Sequence, residues 1–289
     1  MPTDPSTPTG PFPGLGQGPP VAERAYTRLD GAASSDDAAL VPEEVPVALV
    51  YRKRTHAVMM ATPGDFEDFG VGFTLSERIV PHAADIGHIE VVRHSRGVEI
   101  NIDIPEPAAV ALSERARAIA GRTGCGLCGV EAIDDAVRVP LRVSSVLTIP
   151  VESLWRASAA LDAQQPLNRE TRAIHGAAWA SVDGALRIVR EDVGRHNALD
   201  KVLGALVRSG TDAREGFLLV TSRASFELVQ KAAVFGVPLL AAVSRPTGLA
   251  VRIADAAGMC LVGLLRGRTA NVYAHGERLR PETRDQRPE

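Results

Sequence analysis

Two closely spaced cysteines are the most reactive feature of this sequence. Cys125 and Cys128 lie in the glycine-rich segment GRTGCGLCG at 121–129. A thiolate is a strong nucleophile, although an ordinary cysteine with a pKa of about 8.5 is mostly protonated at neutral pH. Arg122 and the N–H groups of the loop would stabilise the anion, at about 1.4 kcal/mol for each unit by which the pKa falls. Glycines leave such a loop conformationally free, which suits a thiol that moves between partners.

Two thiols at this spacing support three kinds of chemistry, and carriage of sulfur fits the loop best. Cys125 would accept a sulfur atom as a persulfide, and attack of the neighbouring thiol on the inner sulfur would then release the outer one. Dithiol–disulfide exchange fits less well, because thioredoxin-like proteins place the first cysteine at a helix start after a strand. Here a predicted helix precedes Cys125, and glycines flank it on both sides.

Zinc binding is the third kind of chemistry, and it needs more ligands than the pair supplies. A structural zinc ion takes four ligands, and the remaining cysteine, Cys260, lies in a predicted buried strand. The order His88-Ile-Glu90 and then Cys125–Cys128 resembles the signature of zinc-dependent nucleobase deaminases. However, glycine rather than proline precedes Cys125, and His88 lies in a predicted surface strand of the other lobe. A deaminase-like zinc hydrolase is therefore the alternative function.

A dense group of polar residues, EDVGRHNALDK at 191–201, opens a predicted helix. A helix N-terminus attracts anions, and Gly194 allows a ligand to approach the backbone closely. For Asp192 and Lys201 we favour a role in capping and solvating the first helical turn. Histidine in such a place is a candidate proton donor or ligand contact. The candidate contacts are Arg195, His196 and, beside a neighbouring strand, His175.

Three predicted strands in the C-terminal part end in segments that contain arginine. The strands alternate with helices, which is typical of a parallel sheet with crossover helices. Ligands of such sheets bind beyond the carboxyl ends of the strands. Arginine beside hydroxyl and glycine residues there favours an anionic, phosphate-bearing ligand. The three segments are Ser222-Arg223, Ser244–Thr247 and Arg266–Thr269.

Hydrophobic periodicity divides the chain into structured segments between two tails. From Val45 the apolar residues alternate, which predicts a hairpin, and from Phe66 they follow helical spacing. Asp183-Gly184 predicts the turn of a second hairpin. The predicted segments are a disordered proline- and glycine-rich tail at 1–26, an N-terminal α+β domain at 27–107, a helical connector with the cysteine loop at 108–165, a C-terminal α/β domain at 166–280 and a tail at 281–289.

Composition limits the class of protein. The chain has 289 residues, of which 45% are hydrophobic and 23% charged, so it is not disordered as a whole. A net charge of -3 argues against a nucleic-acid binder. The longest apolar runs fall short of the ~18 residues that span a membrane. Three cysteines without a secretory leader favour a cytoplasmic location.

Four motifs together resemble the formate dehydrogenase accessory sulfurtransferases, the FdhD family. A stretch near the N-terminus, EEVPVALVYR and HAVMMATPGDFEDFGVGFTLSE, also looks like that family's first domain. The resemblance spans residues 40–280, with the motifs in the expected order. The motifs are GCGLCG at 124–129, EDVGRHNALDK at 191–201, TSRASFELVQKAA at 221–233 and SRPTGLA at 244–250.

The resemblance implies a function and a fold. Members pass sulfur from a cysteine desulfurase to the molybdenum cofactor of formate dehydrogenase, a bis(molybdopterin guanine dinucleotide) that they bind as substrate. Cys125 would carry the persulfide and Cys128 would assist, with no metal of the protein's own. The fold would be a C-terminal cytidine-deaminase-like αβα sandwich beside a smaller N-terminal α+β domain, in a cytoplasmic homodimer. An escort that binds the cofactor without transferring sulfur is a further alternative.

The resemblance and the strand-end arginines together give a set of expected cofactor contacts. The family's cofactor-binding stretch falls on 264–269, just after the last core strand. Thr269 stands where the family usually has arginine, Arg245 adds a charge, and Arg172 interrupts a usual threonine–glycine pair. The expected contacts are Leu264, Leu265, Arg266, Gly267, Arg268, Thr269, Arg195, His196 and Arg223.

Overall fold

The structure is a computed structural model, and it describes residues 14–120 and 140–281 of the chain. Within these residues the chain is a mixed α/β protein, as predicted, with two main sheets that belong to two units. The cysteine pair, Cys125 and Cys128, falls outside the described residues, as do residues 1–13 and 282–289 of the two predicted tails. Among the helices that are described, none is long and apolar enough to cross a lipid bilayer.

A hairpin with mostly exposed side chains opens the described part of the chain. Its strands, β1 (Val21–Asp30) and β2 (Ala33–Pro42), pair antiparallel along their whole length. A single 3-10 turn at Leu15–Gln17 precedes the hairpin, and Leu15 packs against the N-terminal core. The prediction of disorder is therefore wrong for residues 14–26. Backbone pairing orders this segment, and its weak apolar pattern gave no sign of that.

The N-terminal unit is a four-stranded sheet with one helix packed on its face. Its elements are β3 (Val45–Tyr51), β4 (Arg54–Ala61), α1 (Phe66–Ser76), β5 (Ile89–His94) and β6 (Gly97–Ile102). The strands lie in the order β4-β3-β6-β5, with β3 and β6 parallel and the outer pairs antiparallel. Aromatic residues recur in α1 at helical spacing, so Phe66, Phe69 and Phe73 are all buried in this unit's core.

Helices connect the two units, the first two of them largely in the region predicted as a helical connector and the third just after it. They are α2 (Glu106–Ala120), α3 (Val151–Leu161) and α4 (Pro166–Thr171), and a short strand, β7 (Ile149–Pro150), precedes α3. Leu154, Ala157 and Leu161 lie on one side of α3 and are buried against the C-terminal sheet. The apolar residues of α3 follow the helical period because only that side meets the sheet.

The C-terminal unit is built on a six-stranded mixed sheet. Its elements are β8 (His175–Ser181), β9 (Leu186–Asp192), α5 (Arg195–Arg208), β10 (Gly216–Val220), α6 (Phe226–Val234), β11 (Leu239–Ala242), α7 (Gly248–Ala257), β12 (Cys260–Arg266), β13 (Thr269–Ala274) and the short β14 (Leu279–Arg280), which pairs with β7. The strand order is β13-β12-β11-β10-β8-β9. The prediction of a parallel sheet holds for β10, β11 and β12 only. Tight turns at Gly184 and Gly267 join β8 to β9 and β12 to β13, which makes these two pairs antiparallel, and β8 also pairs antiparallel with β10.

Helices cover both faces of this sheet and make three layers. On one face, Leu218 and Leu240 pack beneath α5, α6 and α7. On the other face, Phe217 and Leu219 pack against α3. Alternate residues of each buried strand therefore serve opposite faces, which explains why the strands read as continuous apolar runs.

The two units meet where α1 crosses α5 at a pair of glycines. A Cβ atom at Gly72 would overlap the carbonyl oxygen of Asp200, and one at Gly204 would overlap that of Asp68. The two backbones therefore lie in direct contact, closer than any other residue type would allow. The site described below depends on this contact, because α5 also carries the candidate ligand residues.

We expect Gly72→Ala to lower the free energy of unfolding by about 1–3 kcal/mol, because the added methyl group must push two helix backbones apart. The matched control is Gly248→Ala at the exposed first position of α7, where the nearest atom, Nη1 of Arg252, lies 3.9 Å away. That control should be neutral or slightly stabilising. Urea unfolding of both variants measures the difference, and equal effects would contradict a close crossing.

Candidate functional site

The carboxyl ends of β10, β11 and β12 meet at one edge of the C-terminal sheet. Backbone hydrogen bonds join the segments that follow them: Thr247 N–H donates to the carbonyl of Ala224 (3.0 Å) and Leu264 N–H to that of Ser244 (3.1 Å). The start of β8 lies at the same edge, since Thr221 N–H donates to the carbonyl of Gly176 (3.0 Å). We call this group the strand-end cluster; it comprises His175-Gly176, Thr221–Ser225, Ser244–Thr247 and Gly263-Leu264.

The start of α5 adds two of the predicted contacts to the strand-end cluster. Nε2 of His196 lies 3.5 Å from Oγ of Ser225 and 3.7 Å from Oε2 of Glu227. Arg195 is close enough to His175 for its charge to influence that imidazole. The structure therefore brings together Arg195, His196 and His175, which the sequence places on a helix and a strand.

Burial and charge set the ionisation of the two histidines. Burial lowers the pKa of His175, and the guanidinium of Arg195 lowers it further. Burial and Arg195 likewise lower the pKa of His196, although Glu227 acts in the opposite direction. Burial opposes the charge on Glu227, but hydrogen bonds from Ser225 and its own amide, together with the charges of His196 and Arg195, lower its pKa. Both imidazoles are therefore mostly neutral at neutral pH and become cationic on acidification.

Arg195 carries a buried polar atom with an unused hydrogen bond. Its Nε is buried and has no hydrogen-bond partner among residues 14–114 and 140–281. A buried donor without a partner costs about 1–3 kcal/mol. An anionic oxygen of a ligand would recover that energy, and a guanidinium favours phosphate for the same reason. The structure thus offers a donor at the position where the sequence predicted an anion.

The other predicted arginines lie on the outside of the strand-end cluster or beyond it. Arg223 and Arg245 are exposed in the segments that follow β10 and β11. Arg266 and Arg268 are exposed at the tip of the β12–β13 hairpin, which turns at Gly267 (φ 56°). At these positions the guanidinium groups contact solvent, so they attract anions without the energetic cost of a buried donor that lacks a hydrogen-bond partner.

The predicted cofactor stretch, 264–269, is a bulge followed by a hairpin tip. Leu264 has a left-handed backbone (φ 54°) where the register between β12 and β13 shifts. Leu265 is 1% exposed in the core beneath the opposite face, so its side chain serves packing. Oγ1 of Thr269 donates to the carbonyl of Arg266 (3.0 Å), which closes the hairpin. Only Leu264 of this stretch belongs to the strand-end cluster.

A buried ion pair holds the polar start of α5, contrary to the surface role that the sequence suggested. Asp192 is 0% and Lys201 1% exposed, and Oδ2 of Asp192 lies 2.8 Å from Nζ of Lys201. Oδ1 of Asp192 accepts from Gly194 N–H (2.8 Å) and from Nδ2 of Asn197 (2.9 Å). The interpretation of these two residues as solvated caps is wrong, because both charges are enclosed between the units. One feature of the sequence pointed to a shared environment for these polar side chains: Asn197 and Lys201 are four residues apart, so both lie on one face of α5.

Two further clusters of charged side chains cross from one unit to the other. Nζ of Lys231 lies 2.8 Å from Oδ2 of Asp200 and donates to Oγ of Ser76 (2.9 Å). Burial opposes the charge on Lys231, but Asp200 and Glu77 together raise its pKa. The second cluster centres on Asp68 of α1, which is 3% exposed and accepts hydrogen bonds from Arg190 and Arg208. Neither cluster is visible in the sequence, because each joins residues of the two units that lie more than a hundred positions apart.

One departure from the family pattern has a structural consequence. Arg172 ends α4 in a left-handed conformation (φ 56°), a position that usually favours glycine. The family's usual glycine at this place therefore has a conformational reason.

Glu191 accepts hydrogen bonds from Leu167 and Asn168 N–H (3.0 and 2.8 Å) at the other end of α4, and burial raises its pKa.

Three of the residues considered for a zinc site, His88, Glu90 and Cys260, lie in the described part of the chain. His88 is exposed just before β5, and Glu90 is exposed within it. Cys260 is 0% exposed in β12, where burial raises the pKa of its thiol to about 12. The expectation that Cys260 is a core residue is therefore confirmed. In the described part of the chain, no group of three side chains is placed to hold a metal ion.

The fold and the strand-end cluster define a class: an α/β protein with basic side chains at the carboxyl edge of a mixed sheet, where such sheets bind ligands. The FdhD/NarQ family model matches residues 42–280. The chain belongs to this family, and the resemblance noted in the sequence is confirmed.

Relatives named sulfur carrier protein FdhD cover most of the chain. One from Xanthomonas oryzae pv. oryzae is 49% identical over 256 residues, which are 89% of this chain and 91% of that protein. One from Cupriavidus necator is 50% identical over 242 residues, 84% of each. A crystal structure of a putative formate dehydrogenase accessory protein from Desulfotalea psychrophila has a TM-score of 0.71 and 23% identity, covering 91% of this chain and 100% of that one. At that identity, the likeness shows the fold alone.

We expect Lys201→Met to lower the free energy of unfolding by about 3–5 kcal/mol, because it leaves the carboxylate of Asp192 buried without its partner. Adding Asp192→Asn should restore part of that loss, since the remaining charge is then removed. The control is Arg214→Met, which breaks an exposed pair with Asp212 and should have no measurable effect. Urea unfolding measures all three variants, and a harmless Lys201→Met would show that the pair is solvated.

Proposed function

We propose that this protein is a sulfur carrier for a formate dehydrogenase, and that it delivers sulfur to the molybdenum cofactor of that enzyme. Family membership and the names of the relatives support the sulfur-carrier role. The buried Nε of Arg195 is the observation that supports cofactor binding, because it offers a donor to a phosphate oxygen. A guanine dinucleotide carries two phosphates, so the bis(molybdopterin guanine dinucleotide) cofactor matches the chemistry of the strand-end cluster.

The sulfur-transfer step is proposed for Cys125 and Cys128. The Cys125 thiolate attacks the outer sulfur of a persulfide on a cysteine desulfurase, whose own cysteine leaves as a thiol. In the second step the Cys128 thiolate attacks the inner sulfur, a Cys125–Cys128 disulfide forms, and the outer sulfur leaves as sulfide for the metal. The disulfide must then be reduced by a cellular dithiol before the next cycle.

The strand-end cluster has its own part in this proposal. Arg195 would bind a phosphate of the cofactor, and the neutral imidazole of His196 would donate a hydrogen bond to an adjacent oxygen. The exposed arginines Arg223, Arg266 and Arg268 would attract the anion from solvent. Leu264 would present its backbone to the cofactor, whereas Leu265 remains part of the core.

The finer parts of the resemblance remain predictions. They are the cytidine-deaminase-like description of the C-terminal unit, the cytoplasmic location, the homodimer, and the cysteine desulfurase and formate dehydrogenase catalytic subunit as partners. Two other functions are separable by experiment. A deaminase-like hydrolase would contain stoichiometric, tightly bound zinc, and an escort would restore formate dehydrogenase activity without a thiol at Cys125.

We expect the protein to gain the mass of one sulfur atom when it is incubated with a cysteine desulfurase and cysteine. Intact-mass spectrometry measures the gain, and a thiol reductant should reverse it. Cys125→Ser should abolish the gain, whereas Cys128→Ser should retain it and slow the release of sulfide. Cys260→Ser is the control, because that buried thiol should take up no sulfur. A gain that survives Cys125→Ser would move the carrier to another residue.

We expect GDP, which reproduces the guanosine pyrophosphate end of the cofactor, to bind at the strand-end cluster. Arg195→Gln should weaken that binding about tenfold or more, since it removes a charge-assisted hydrogen bond. Arg214→Gln, at an exposed pair away from the cluster, is the matched control and should bind GDP normally. Isothermal titration calorimetry measures the affinity. Normal binding by Arg195→Gln would place the phosphate elsewhere.

A further inference from the structure

Thr62 of the N-terminal unit makes hydrogen bonds through its N–H, its carbonyl and its hydroxyl group. All three go to the segment 191–201, which carries Arg195 and His196. Thr62 follows β4 directly and is 1% exposed. Its N–H donates to Oδ2 of Asp192 (3.0 Å), and its carbonyl accepts from Nζ of Lys201 (3.0 Å). Its hydroxyl oxygen accepts from Val193 N–H (3.0 Å). One residue thus contacts both members of the buried ion pair and the backbone between them.

These contacts fix the short segment from which α5 begins. Val193 and Gly194 separate the end of β9 from Arg195, the first residue of the helix. Val193 N–H is held by Thr62, and Gly194 N–H is held by Asp192. Both amides of the segment are therefore tied to the network, and the direction in which the helix leaves the strand follows from it.

A neighbouring contact from the same unit reinforces this arrangement. Nδ2 of Asn197 donates to the carbonyl of Met60 (2.8 Å), two residues before Thr62. The end of β4 and the residue after it therefore hold the chain at Val193, just before α5, and at Asn197, within its first turn. Two buried attachments on either side of Arg195 and His196 restrict how these side chains can turn relative to the strand ends.

We propose that Thr62 is a positioning residue for the binding site at the strand-end cluster, acting through its hydroxyl group on Val193 to aim Arg195 and His196. The proposal rests on the proposed function, since it assumes that these two side chains bind an anion. It makes the N-terminal unit part of the binding site, although that unit contributes no predicted ligand contact.

The test compares Thr62→Val with Thr62→Ser in the full chain. The valine is close in shape and keeps both backbone hydrogen bonds, so it removes the hydroxyl acceptor alone. We expect Thr62→Val to weaken GDP binding about fivefold, as the loss of one buried hydrogen bond predicts. Thr62→Ser keeps the hydroxyl and should bind GDP as the unaltered protein does. Thr62→Ala serves as a second variant without the hydroxyl if the valine methyl disturbs folding.

The matched control is Ser76→Ala, which removes a buried contact between the same two units. Oγ of Ser76 donates to Oδ1 of Asp200 (2.7 Å), away from the start of α5. Both Ser76→Ala and Thr62→Val should lower the melting temperature, but only Thr62→Val should change the GDP affinity. If Thr62→Val only lowers the melting temperature and leaves GDP binding unchanged, Thr62 is merely structural and the proposal is overturned.

A second measurement needs no ligand and separates this proposal from the proposed function. NMR titration follows the imidazole of His196, which faces Arg195, Glu227 and Lys231 and whose pKa lies below its ordinary value. Thr62→Val should loosen the start of α5 and let water reach the imidazole of His196. The pKa of His196 should then rise toward its ordinary value. If the unaltered protein binds no GDP, the cofactor proposal fails, yet this titration still tests positioning. An unchanged titration in Thr62→Val would overturn it.

Discussion

A buried ion pair, Asp192 with Lys201, connects the strand that ends at the candidate site to the helix that begins there. Removing two charges from water costs several kcal/mol for each ion. Good geometry and additional hydrogen bonds offset that cost only if every partner stays in place. Thr62, Gly194 and Asn197 supply those partners, so the position of α5 depends on a set of contacts that tolerates little displacement. Because Thr62 belongs to the N-terminal unit, these contacts also fix the position of one unit relative to the other.

The position of α5 in turn determines the chemistry at the edge of the sheet. Arg195 and His196 lie in its first turn, while the start of β8 and the carboxyl ends of β10, β11 and β12 lie together at one edge of the sheet. Three parallel strands place their carboxyl ends together without any specific side chain. The helix start is held in addition by hydrogen bonds to the N-terminal unit. A ligand bound at the cluster would therefore interact with a site that both units build.

The sequence predicted those parts of the fold in which local pattern and tertiary burial agree. The alternation from β10 to β12 was predictable because each strand is apolar on both faces and each helix on one. The β1–β2 hairpin was missed because its side chains are mostly exposed and backbone pairing carries no hydrophobic signal. Lys201 was misread because charged residues are rarely buried unless paired, and its partner's distance in space is not visible in the sequence. Arg195 and His196 were predicted as ligand contacts because their clustering at a helix start is a local feature.

The close crossing of α1 and α5 has a consequence for biosynthesis. The ribosome completes the N-terminal unit long before it adds Arg208 at the end of α5, with an interval on the order of ten seconds. During that time Thr62 and Asp68 have none of their later partners, and the groove beside Gly72 stands open to water. The nascent chain therefore displays a docking surface for its own second half, on which Thr62 and Asp68 lie beside apolar side chains that Val207 and Phe235 later cover.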